Sequence, residues 1–176
     1  MWRSLNRYTQ ELVRVSGCEF RSTNITFGGG YSFGYAGDLS IHIFKEKGLY
    51  KVGASERYED VFVDLVSRRL DAAERWFVKC VGDVRRAYYD GSPTIELPAG
   101  LKDVRAGYQV RRLERAWSTL VRSDGTEVPV AILGTVWEDY SDIAKYSHIA
   151  DLPVGDLAQS YMDPAGAPLL SDYVRR

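Results

Sequence analysis

Cysteine and histidine are scarce in this chain, with two of each among 176 residues. Cys18 and Cys80 cannot build a disulfide framework, and a buried free thiol is the ordinary state for a pair so placed. His42 and His148 stand far from each other and from either cysteine, whereas a zinc site needs three or four ligands at compatible spacing. His42 alternates within an apolar strand and is expected on its outer face, and His148 falls on a short helix. Each reads as a surface or hydrogen-bonded residue, not a ligand or general base. Excess charge is lacking too: 23 Lys and Arg against 24 Asp and Glu leave a net charge of −1. Nucleic-acid binders draw their affinity largely from neutralising phosphates, so that balance argues against one. The Arg pairs at 68–69, 85–86, 111–112 and 175–176 read as solvated surface. No apolar run approaches the roughly 18 residues of a membrane span, and the N-terminus lacks the apolar stretch of a secretory leader. The expected compartment is the cytoplasm, with no membrane partner.

Catalytic signatures are missing as well. Gly28-Gly29-Gly30 is followed by alternating aromatics, hence by a strand, whereas a phosphate cradle needs its glycines to open a helix. The run Gly30-Tyr31-Ser32-Phe33-Gly34-Tyr35 lacks the leading cation and the βαββαβ order of an RNA-recognition motif. Gly53-Ala54-Ser55-Glu56-Arg57 lacks the second glycine of a nucleophile elbow. The densest carboxylate clusters, Glu138-Asp139 with Asp142 and Glu56 with Glu59-Asp60, are explained as acidic flanks of helix starts favoured by the helix dipole. With no catalytic residue, metal or cofactor site to point to, the chain reads as a binding protein.

What is present is patterning. Composition is that of an ordinary globule, 45% apolar and 27% charged, with twelve Tyr, six Phe and four Trp. From Tyr58 to Tyr88, apolar residues recur at steps of three and four (Val61, Phe62, Leu65, Val66, Ala72, Ala73, Trp76, Phe77, Cys80, Val81, Val84), which predicts one long helix, weakened near Gly82. Ahead of it, Ser4 is expected to cap an N-terminal helix ending at Gly17. From Cys18 to Lys51 the period changes to two, and Leu49 to Ala54 reads as the return strand of a meander with turns at Gly28–Gly30, Ala36–Asp38 and Lys47–Gly48. Past a Pro-rich connector, strands are predicted at 108–114, 116–122 and 126–133, and two short helices follow from Ser141 and Val154. Segregated runs of this kind predict an α+β fold: antiparallel strands packed on one long central helix, with an N-terminal helix and short C-terminal helices. One domain over 1–176 is expected, its tail after about 163 loosely held.

A family likeness adds a function. The features are the opening helix ending at Gly17, the meander leading to Tyr50-Lys51-Val52 and Ser55-Glu56-Arg57, and Ala73-Glu74-Arg75-Trp76-Phe77 followed by Gly82 and Arg86. Leu97-Pro98, Gly107-Tyr108 and the Asp124-Gly125 turn before Pro129-Val130-Ala131 complete the set. Over residues 5 to 133 the chain resembles the bacterial immunity proteins that neutralise necrotizing NAD-glycohydrolase toxins, the family of the immunity factor for tuberculosis necrotizing toxin. The resemblance implies a cytoplasmic, non-enzymatic antitoxin without a cofactor, bound 1:1 to its cognate toxin domain and occluding that domain's NAD-binding cleft. Contact residues are expected at turns: Tyr31, Phe33 and Tyr35 near the first, and Lys45, Glu46 and Lys47 at another. The alternative is a small ligand-binding or enzymatic α+β domain with an apolar pocket lined by Tyr31, Phe33 or Trp117.

Overall fold

The computed structural model describes residues 4–17, 19–23, 30–35, 39–56, 60–134 and 141–175, with 19–23 and 30–35 described by their backbone. Two antiparallel meanders meet edge to edge. The first comprises β1 (Glu19–Thr23), β2 (Gly30–Tyr35), β3 (Leu39–Glu46), β4 (Leu49–Glu56) and β5 (Phe62–Ser67); the second comprises β6 (Tyr108–Arg112), β7 (Trp117–Arg122) and β8 (Val130–Leu133). Strand β8 pairs with β5, Leu65 opposite Ile132 and Ser67 opposite Val130, giving the sheet order β1-β2-β3-β4-β5-β8-β7-β6. The β3–β4 hairpin turns through Lys47 (φ 49) and Gly48 (φ 82), the left-handed pair that a two-residue turn requires to match strand twist.

Helix α1 (Arg7–Val15) precedes the sheet, α2 (Leu70–Tyr88) joins the two meanders, and α3 (Asp142–Ile149) and α4 (Val154–Met162) follow. Helix α2 packs against β3, β4 and β5, and α3 against β6, β7 and β8. Ile43, Val52, Leu65 and Ile132 lie in one cross-strand row, fully buried, in a single core cluster with Ala73, Phe77 and Val81 of α2. Burial of each such side chain is worth about 1.5–3 kcal/mol. The fold is α+β, as the order of elements predicts.

Several local expectations are corrected. The helix predicted from Tyr58 begins at Leu70, and its front part is strand β5. Strand β5 sits in the middle of the sheet, so Leu65 and Val66 are apolar on opposite faces, and a strand apolar on both faces mimics a helical stripe. Ser67 ends the strand: its Oγ donates to the Pro129 carbonyl (2.5 Å) and accepts from the Arg69 N–H (3.0 Å). The cluster at Glu56 and Asp60 therefore flanks strands, and no helix dipole explains it. Asn6, not Ser4, caps α1, its Oδ1 accepting from the Tyr8 N–H at 2.9 Å. Gly82 does not break α2. A Cβ there would lie 2.2 Å from the Tyr161 ring, so the glycine is where α4 crosses α2 at close range.

Arg86, expected on the surface, is 2% exposed. Its guanidinium donates to the carbonyls of Pro93 (2.6 Å), Asp163 (2.7 Å) and Pro164 (2.8 Å). The segment after 163, expected to be loose, is thereby held down: Leu170 is fully buried, and the Leu169 N–H donates to the Ser160 hydroxyl at 2.9 Å.

These contacts predict mutational effects. Gly82→Ala gains about 1 kcal/mol of helix propensity but drives a methyl into the Tyr161 ring, so a net loss of about 1–3 kcal/mol is expected. Arg86→Ala leaves several carbonyls short of a donor, at about 1–3 kcal/mol for each one left buried and unsatisfied, and should cost about 3 kcal/mol. Urea midpoints at unchanged slope measure both. An Arg86→Ala midpoint equal to that of the unaltered protein would contradict the anchoring role.

Candidate partner-binding surface

With the helices packed on one side, the opposite face of the sheet carries a concavity of about 460 Å³ at the β5–β8 seam. Lys51, Val66 and Ala131 stand in one row across β4, β5 and β8, facing away from the row under α2. Val66 and Ala131 floor the groove together with Leu49, Leu113 forms a wall, and Pro129 closes it. Two hydroxyls converge on it and both are engaged internally: Ser67 as described above, and Thr119, whose Oγ1 donates to the Val128 carbonyl at 3.2 Å. Arg111 and Glu127 form an ion pair at the rim (2.5 Å). The result is an apolar trough whose two hydroxyls are occupied within the protein, with the Arg68 side chain at one corner, and the Trp117 expected in such a pocket does not line it.

A second cavity, about 220 Å³, lies among Arg69, Asp71, Arg75, Arg122 and Asp151. Each of these cations is satisfied in place. Arg69 and Arg75 reach Asp71 (2.7 and 3.3 Å), Arg75 also donates to the Leu152 carbonyl (2.7 Å), and Arg122 reaches Asp151 at 2.8 Å. Tyr108 donates to the same Asp151, and its hydroxyl is pushed up to about 12, by burial first and then by that carboxylate. This arrangement braces α3 and the following turn against the second meander; it is not a ready anion site.

The residues singled out from the sequence fall in different places. The backbone register puts Tyr31, Phe33 and Tyr35 in β2 opposite Ile43, Ile41 and Leu39; their side chains lie outside the described residues. Lys45 sits 4.9 Å over the Tyr50 ring, in the row that continues toward Ile43 and Val52. Glu46 pairs with Lys51 on the groove side, and Lys47 is exposed at the turn. Among the described candidates, Glu46 stands opposite the groove residue Leu49. His42, expected on an outer face, is 7% exposed, 2.8 Å from the Ser55 hydroxyl and lowered in pKa by burial. The His148 Nε2–H donates to the Asp103 carbonyl at 2.8 Å, which leaves Nδ1 to accept from the Tyr173 hydroxyl at 3.1 Å. Burial pushes the Cys80 thiol up to about 12, far from thiolate reactivity; Cys18 lies outside the described residues.

A family model, immunity protein 61, matches residues 31–169. The chain belongs to the immunity protein 61 family. The matched range runs from β2 through α4 and contains both meanders' seam, every groove residue and Arg86, while α1 precedes it. Among solved structures, Rv3902c from M. tuberculosis has the same fold, with a TM-score of 0.72 over 94% of this chain and 92% of that one at 23% identity. No curated protein sequence matches the chain.

The groove residues Leu49, Val66, Leu113 and Ala131 were not legible as a site. The available signal was the unbroken apolar run Val128–Leu133, which marks a strand apolar on both faces and so predicts a second apolar surface.

Beneath the sheet of this immunity-protein fold, Lys79 of α2 pairs with Asp83 at 2.9 Å, and Asp64 of β5 is pushed up to about 6, first by burial and then by the Asp142 carboxylate, with Lys79 opposing. A carboxyl raised on folding stabilises least when ionised. Its contribution is full below the unfolded value near 3.8 and declines as pH rises through about 6. Asp64→Asn should therefore raise stability by about 1–2 kcal/mol at pH 7, after discounting for partial exposure, and change it little at pH 4. Thermal melts at the two pH values measure this; equal shifts at both would contradict it.

Proposed function

We propose that the chain is a non-enzymatic immunity protein that binds a cognate NAD-glycohydrolase toxin domain 1:1 and occludes its NAD-binding cleft in the cytoplasm of the producing cell. Membership of the immunity protein 61 family carries this reading. The toxin chemistry comes from the likeness of the elements between residues 5 and 133 to immunity proteins of that kind. Physically, occlusion asks for a rigid scaffold with one exposed face and no cofactor of its own. A stable complex buries about 1,200–2,000 Å² in total, with a few aromatic or Arg anchors near its centre. The groove face supplies apolar floor and rim cations. Tyr31, Phe33, Tyr35 and the Lys45–Lys47 turn are further contact candidates.

The ligand-pocket alternative has a suitable volume in the groove, but its hydroxyls are engaged with the protein's own carbonyls, which favours a macromolecular partner. Co-expression with the neighbouring toxin domain, followed by size-exclusion chromatography and an NAD-hydrolysis assay, tests the proposal. A single 1:1 peak with hydrolysis abolished is expected. Separate peaks with undiminished hydrolysis would overturn it.

A further inference from the structure

The groove combines two chemistries. Its floor, Leu49, Val66 and Ala131, is apolar and only half-buried, and Leu113 at the wall is 40% exposed. Its rim carries an unpaired cation. Arg68 lines the groove at the corner between β5 and α2; it is exposed and has no carboxylate partner among the described residues. Arg111 is already neutralised by Glu127, and Arg112, opposite Ser118, belongs to the row on the helix side of the sheet. An apolar small molecule would fill the floor and leave the Arg68 guanidinium idle. A nucleic acid would meet Glu127 and an apolar surface where it needs cations, on a chain whose net charge is −1. A protein segment carrying both features uses both, because guanidinia on a partly desolvated rim pair with carboxylates bidentately.

We propose that this groove receives an apolar side chain of the cognate toxin domain flanked by a carboxylate. The apolar group enters between Val66, Ala131 and Leu113, and the carboxylate pairs with Arg68. The inference rests on the toxin-binding reading and adds which face of this protein makes the contact and what the partner presents there. The arrangement separates the two contributions kinetically. The Arg68 guanidinium steers encounter and fixes register, so it acts on the association rate and its effect weakens with salt. The apolar insertion governs the lifetime of the complex.

The test is the binding of surface-tethered toxin domain by the full chain and its variants at low and high salt. Arg68→Glu should weaken binding by roughly tenfold, mainly through a slower association rate and less at high salt. Leu113→Glu should weaken it on the order of 30-fold through faster dissociation, the size of a hot-spot loss. Arg14→Glu, on exposed α1, should stay within about twofold, the effect ordinary for a change outside the contact. Melting curves check that the variants fold; if Leu113→Glu does not, Leu113→Ala replaces it with a smaller expected loss. If the unaltered protein binds the toxin but the Arg68 and Leu113 variants bind equally well, the groove proposal is overturned and the toxin reading stands. No binding by the unaltered protein overturns both, and Arg68-dependent retention of duplex DNA without toxin binding would replace the protein partner with a nucleic acid.

Discussion

The buried guanidinium of Arg86 holds this fold's helical layer together. Four backbone carbonyls from two separate segments, Pro93 on one and Tyr161, Asp163 and Pro164 on the other, converge on one side chain of α2. Burial lowers its pKa, so the charge is kept only because those dipoles replace water. One turn earlier, Gly82 lets Tyr161 of α4 lie directly on the helix backbone. Together the two residues seat α4 on α2, and α4 in turn is the element against which α1 packs. Glu74 completes the layer by accepting the Asn6 N–H at 2.6 Å, tying the start of α1 to the N-terminal part of α2.

That layer sits on one side of the sheet, and among the described residues no helix covers the other side. The β5–β8 pairing places the groove there. It joins two meanders that are remote in sequence, and at the join the strands are apolar on both faces: Leu65 and Ile132 toward α2, Val66 and Ala131 away from it. The hydroxyls of Ser67 and Thr119 and the Arg111–Glu127 pair at the groove are bonded within the protein itself, which leaves few groups there to be reorganised on binding. A preformed surface of this kind loses little conformational entropy on association, as an inhibitor requires.

The α+β class, the order of elements and the hairpin at Lys47–Gly48 were readable because they depend on local period and turn chemistry. What failed were features that depend on non-local partners. Strand β5 resembled a helix because it is central, and a central strand shows no alternation. Arg86 resembled surface because nothing near it in the sequence announces the carbonyls brought from elsewhere. The groove was invisible for the same reason: Leu49, Val66, Leu113 and Ala131 come from four separate segments and meet only once β8 docks on β5. Choosing contact residues at turns follows local chemistry alone, and the three residues so chosen separate in the fold: Glu46 opposite Leu49, Lys47 exposed at the turn, and Lys45 over Tyr50 on the helix side.

A methyl-selective NMR titration of the full chain with its toxin domain tests the account most directly. Leucine and valine methyls report on both places, Val52, Leu65 and Val81 in the core with α2 and Leu49, Val66 and Leu113 at the groove. The account predicts that Leu49, Val66 and Leu113 move first and furthest, while Val52, Leu65 and Val81 hold their positions. Changes centred on α1 or α4, with the groove methyls unmoved, would contradict it.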